Sequence, residues 1–227
     1  MPIALADTLL RPAEADLYRP VWSERVLDEM VDAVESVHPN LAPGAARRMA
    51  DVIRSSFEDA SVAGWRDLAS GLTLPDPDDR HVVAAALRGR ADIIVTSNLR
   101  DFPVEVLEPM GLEVQHPDEF LLNQLDLEPD LSIATLHRQA AAARRPVIMT
   151  RVLLDHLGRC GVPGFAAAAA PPAVARDVAG LSVCFVAGQA ACSVAGVFGI
   201  VVLSEPGEVV GESRRVYFWS AGCFSDW

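Results

Sequence analysis

The sequence predicts an α/β fold: a parallel sheet flanked by helices, with a helical extension on its C-terminal side. Three observations carry that expectation. Amphipathic helical patterns alternate with short apolar runs through the first 125 or so residues, DIIVT has the uninterrupted apolar character of a buried parallel strand, and from Pro117 to about Arg159 the patterns are helical only.

Taken in order, ALADTLLRPAEADL has helical spacing through Leu5, Leu9 and Leu10, and YRPVW reads as a short extended piece. Ser23 stands at an N-cap position, after which Val26, Leu27, Met30, Val31, Val34 and Val37 recur on one face until Pro39. A third helix is expected from about Pro43 to Phe57. LPDPDDRHVVAAALRG reads as a loop, an acidic helix start and an Ala-rich buried helix ended at Gly89. DIIVTSN and GLEVQ then supply strands on either side of a short helix near Val104 to Met110. PDEFLLNQLDL, LSIATLHRQAAAARR and VIMTRVLLDHLGR are helical. The expected organisation is a sheet domain over 1–127, a helical extension over 128–165, and a tail over 166–227.

Composition narrows the function classes. All 19 basic residues are Arg, and the formal charge of −12 excludes a generally basic nucleic-acid surface. A nuclease remains compatible, because bound divalent cations reverse the sign of a carboxylate-lined site. The four Cys form no CxxC pair, so zinc and disulfide frameworks are both poorly supported. The N-terminal residues meet charge early and lack the apolar core of a signal peptide, from which a cytoplasmic protein is expected.

Phosphodiester cleavage with a hard cation needs oxygen ligands converging on the metal, and in an α/β sheet such ligands belong at strand C-termini and adjacent helix starts. Three places qualify. Glu29 borders the apolar stripe of its helix, although a solvated helix glutamate is the plainer reading. Asp76, Asp78 and Asp79 open the Ala-rich helix; one of them suffices as a cap, and three carboxylates within four residues repel unless solvent or a cation relieves them. Asn98 and Asp101 follow the strand in TSNLRDF, where a polar turn is the alternative. The five His show no metal-ligand spacing and read as packed or surface residues. Arg138, Arg144, Arg145 and Arg151 form a basic stretch, read either as a solvated face or as a contact to RNA or a partner through Arg144 and Arg145.

The blocks LYRPVWSERVLDEM, LPDPDDRHVVAAALRGRADIIVTSNLRDFP and GLEVQHPDEFL resemble those of PIN-domain proteins, specifically the VapC-like group of bacterial toxin–antitoxin modules, over roughly residues 4 to 125. LHRQAAAARRPVIMTRVLLDHLGRCGVPGF resembles the helical extension of some members. The resemblance implies a PIN-like sheet, a single-stranded RNA endonuclease with three or four acidic residues, Mg²⁺ or Mn²⁺ as cofactor, and a cognate antitoxin and a second copy of the chain as partners. It assigns Glu29 and Asp79 as metal ligands and Glu29, Asp79 and Asn98 as catalytic residues. Asp78 is the substitute if the register shifts by one, and Asp101 lies near enough to take part.

One departure stands out: the family opens with a strand of the type V-hydrophobic-D-x-N, and nothing of it precedes Met1-Pro2-Ile3. The expectation is therefore a PIN-like chain without its first catalytic strand, with impaired cleavage, or else a non-catalytic binding protein for antitoxin or RNA. The tail is abruptly different, with an Ala-Pro tract and 27 uncharged residues from Val178 to Ser204. It reads as spurious or poorly packed sequence, with a membrane span as the second reading. Filling of the missing strand's place by the run around Val194 to Leu203 is not expected.

Overall fold

A computed structural model describes residues 3–143, 148–171 and the strand 200–203. Helix α1 (Ile3–Glu14) leads into strand β1 (Arg19–Val21), followed by helices α2 (Glu24–Val37), α3 (Ala45–Ser56) and the single turn α4 (Arg66–Ala69). A 3-10 turn over Pro77–Asp79 runs directly into α5 (Arg80–Gly89), then β2 (Ile93–Val95). A second 3-10 turn (Leu99–Asp101), α6 (Val104–Leu107), a third 3-10 turn (Glu108–Met110) and β3 (Glu113–Gln115) complete the crossover. Helix α7 (Pro117–Leu127) closes the sheet domain, helices α8 (Pro129–Ala142), α9 (Thr150–Arg159) and α10 (Pro163–Ala168) form the extension, and β4 (Ile200–Leu203) belongs to the tail.

The sheet order is β1-β4-β2-β3, with β2 and β3 parallel, as the crossover through α6 requires. Successive residues of β2 point to opposite faces and seed two cores. Ile94 packs with Val21, Leu27, Val83 and Ala84 under α2 and α5, while Val95 packs with Leu5, Leu9, Phe120 and Leu121 under α1 and α7. The result is helices on both faces of the sheet, the α/β architecture expected.

The extension is tied to the sheet domain by polar contacts as well as by this second core. Gln139 of α8 donates from Nε2 to the Ala4 carbonyl at 2.9 Å, and Thr8 Oγ1 lies 2.9 Å from Gln139 Oε1. Asp118 of α7 accepts from the backbone N–H groups of Gly164 and Phe165 at 3.0 and 2.7 Å, satisfying the exposed start of α10. Helix α10 runs past Phe165, and Ala166 and Ala169 are buried in the second core, so the packed extension reaches beyond the boundary drawn from sequence.

Strand β4 corrects a second expectation. It lies between β1 and β2, antiparallel to both, with Val201 opposite Val21 on one side and Ile94 on the other. Without a strand there, β1 and β2 would each bury an unpaired ladder edge, and a β-branched run such as Ile-Val-Val can meet that demand. The rest of the uncharged run, and with it the membrane reading, lies outside the described residues. Among those described, no helix is long and apolar enough to cross a membrane.

Helix α5 approaches the sheet closely at its last residue. A Cβ on Gly89 would stand 2.5 Å from Val21 Cγ1 and 3.2 Å from Val62 Cγ2. Gly89→Ala is expected to force α5 off β1 and cost about 1–3 kcal/mol, seen as a lower urea midpoint with an unchanged slope. An unchanged or raised midpoint would contradict this packing.

Candidate metal centre

The turn that opens α5 arranges the acidic residues. Asp76 is the N-cap of the Pro77–Asp79 turn, and its Oδ1 accepts from the Asp78 N–H at 2.8 Å. Pro77 fits the first position because it offers no N–H that needs a partner. This geometry turns Asp78 outward: its side chain is 83% exposed and meets Arg25 at 3.3 Å. Asp79 is turned inward and only 5% exposed.

On the adjacent strand end, the turn after β2 brings Asp101 toward the same point. Asn98 donates from its backbone N–H to Thr96 Oγ1 at 3.1 Å and from Nδ2 to Asp101 Oδ2, which orients the Asp101 carboxylate. One carboxylate oxygen each from Asp76, Asp79 and Asp101 lies within 4.8 Å of the others. Oδ2 of Asp79 is buried with no hydrogen-bond partner among the described residues. Burial first, and then the charges of Asp76, Asp101, Glu29 and Asp78, push the Asp79 carboxyl up to about 7. Converging carboxylates with one orphaned buried oxygen fit the oxygen-donor set that a hard divalent cation takes.

Glu29 reaches this field through a separate chain of contacts. Its Oε1 accepts from Arg25 Nε at 2.8 Å and stands 3.1 Å from Nε2 of His81. Burial alone would raise the Glu29 carboxyl, but His81 and Arg25 together hold it below its ordinary range. His81 is 1% exposed, and its Nδ1 lies 2.8 Å from Ser23 Oγ. Ser23 does occupy the N-cap position of α2, yet its hydroxyl makes no cap hydrogen bond and serves His81 instead.

Of the residues selected from sequence, Asp79 and Asp101 therefore share one cluster, Asn98 braces it, and Glu29 acts on it electrostatically. Asp78 stands outside the cluster and Asp76 takes the place beside Asp79. Arg144 and Arg145 lie outside the described residues. His81 was missed as a participant because its partners are 58 and 52 positions away and no local spacing announces them.

Comparison with known proteins bears on the fold. Residues 4–100 match the PIN-domain family, and residues 117–171 match the family described as the VapC50 C-terminal domain. The chain is thus similar, over two separate stretches, to VapC-like PIN-domain proteins. A protein of Mycobacterium tuberculosis described as "Putative ribonuclease VapC50" is 43% identical over 106 residues, which span 47% of this chain and 62% of that protein. No solved structure matches the chain. Here the inward turn of Asp79 and the brace from Asn98 to Asp101 put acidic groups where the α5 start meets the β2 end, the usual place for a site in an α/β sheet.

Proposed function

We infer that this chain is the toxin of a toxin–antitoxin pair, acting in the cytoplasm as a metal-dependent endonuclease on single-stranded RNA, with weakened cleavage. The observation that carries the reading is the convergence of Asp76, Asp79 and Asp101 around an orphaned buried oxygen. Asp79 and Asp101 would hold Mg²⁺ or Mn²⁺, with Asp76 beside them and Glu29 facing the same field. The cation, when bound, would neutralise charge on the reacting phosphate. Asn98 holds the Asp101 carboxylate in place, and Ser23 and His81 position Glu29. The 43% identity to a protein described as a ribonuclease supports the substrate class. A cognate antitoxin is the expected protein partner, with a second copy of the chain as another.

Weakened cleavage follows from the strand between β1 and β2. Ile200–Leu203 contains no carboxylate, so this central place in the sheet adds no ligand to the site. The same observation favours a second reading, a non-catalytic PIN-fold protein that binds antitoxin or RNA. Incubating the purified chain with single-stranded RNA separates them. Slow cleavage that requires Mg²⁺ or Mn²⁺ and disappears in Asp79→Asn is expected. Cleavage persisting in that variant or in EDTA would place the chemistry elsewhere, and RNA binding with no cleavage at any cation concentration would select the second reading.

A further inference from the structure

Beside the acidic cluster the same turn builds a pocket of opposite character. It has a volume of about 330 Å³ and is walled by Arg25, Trp65, Arg66, Pro77, Arg80 and His81, with no carboxylate in its lining. Three guanidinium groups on one pocket run against a chain whose formal charge is −12. Arg25 is already engaged by Glu29 and Asp78. Arg66 and Arg80 make no ion pair with any described residue; Arg66 lies 4.7 Å over the Trp65 ring, and Nε of Arg80 is buried with no partner among the described residues. Guanidinium groups without an ion-pair partner leave donors on the pocket wall that an anionic ligand can engage.

We propose that this pocket is a nucleotide subsite for the RNA strand, in which Arg66 and Arg80 bind the phosphate next to the one cleaved and the sugar and base occupy the space against Pro77 and the Arg66–Trp65 stack. The proposal rests on the nuclease reading above and adds the position of the substrate. Consecutive residues connect the two places: Asp79 faces the acidic cluster, whereas Arg80 and His81 wall the pocket. A strand whose reacting phosphate lies at the carboxylates therefore meets the arginines with a neighbouring phosphate. The volume falls at the small end of ligand pockets and suits one nucleotide, not a duplex. Arginine is suited to the task, since its fork pairs with two phosphate oxygens and its plane stacks on rings.

The test is binding of a short fluorescein-labelled oligouridylate to the whole chain in EDTA, which removes any contribution from a cation. Arg66→Gln and Arg80→Gln are each expected to weaken binding roughly three- to tenfold and to lower the slope of log affinity against log salt by about 0.7, the value for one phosphate contact on a single strand. Arg66 is exposed, so its variant remains informative if Arg80→Gln folds poorly. Equal affinity and equal salt slope in Arg66→Gln and the wild type overturn the proposal, as does selective loss of binding to an acidic peptide instead of RNA. If RNA binding depends on both arginines but no condition yields cleavage, the subsite stands and the nuclease reading falls. If cleavage depends on Asp79 while the arginine variants bind and cleave as the wild type does, the reverse holds.

Discussion

Asp79→Asn should make the metal-free protein more stable while removing its response to divalent cations. In EDTA the Asp79 carboxylate is buried, has no partner at Oδ2 among the described residues and is surrounded by Asp76, Asp101, Glu29 and Asp78. Its carboxyl titrates near 7 in the folded chain against an ordinary value of 3.8. The folded state thus holds a proton that the unfolded chain has already released, so stability falls as pH rises from about 4 to 7 and is lowest above that window. The amide cannot ionise, and its advantage should be absent near pH 4 and reach about 2–4 kcal/mol above pH 7. At about 2–4 °C per kcal/mol for a chain of this size, the melting temperature rises by several degrees. Saturating Mn²⁺ should raise the melting temperature of the wild type and leave the variant unmoved. A variant less stable than the wild type in EDTA at pH 8 would mean that the carboxylate has a partner the structure does not show.

The second large effect concerns the sheet. Val201 faces Val21 on one side and Ile94 on the other, in the middle of β4. Val201→Pro removes an N–H from the ladder and forces the φ angle of a strand paired on both edges, a change that costs about 3 kcal/mol or more in a sheet interior. A drop of roughly 6–12 °C in melting temperature should follow. The same substitution at exposed Val152 of α9 would not serve as a control, since a helix interior also rejects proline. If Val201→Pro melts with the wild type, β4 contributes nothing to the folded state and the tail is dispensable, as its composition suggests.

Much of this fold is written in local patterns. The apolar stripe from Val26 to Val34 marks α2, the uncharged run Ile93–Val95 marks β2, and both fall where periodicity puts them. The neighbourhood of the site is legible for the same reason, because Asp79 and Asn98 sit at a helix start and a strand end. Which aspartate of the DPDD turn faces inward is not legible. It depends on Asp76 accepting from the Asp78 N–H, a choice of turn geometry among three residues of one type. The contact between Ser23 and His81 joins positions 58 residues apart and leaves no periodic trace. Strand β4 is harder still: its apolar run is as compatible with a membrane segment as with a sheet, and only the unpaired edges of β1 and β2 distinguish them.

Manganese binding, followed by the loss of the free-ion electron paramagnetic resonance signal, tests the carboxylate centre most directly. Asp76→Asn, Asp79→Asn and Asp101→Asn should each weaken Mn²⁺ binding by at least roughly tenfold, as expected when one ligand of a hard-cation site is removed. Asp78→Asn, altering a side chain 83% exposed and paired with Arg25, should change it by less than about twofold. Affinity that falls with Asp78→Asn but survives Asp79→Asn would contradict the centre described.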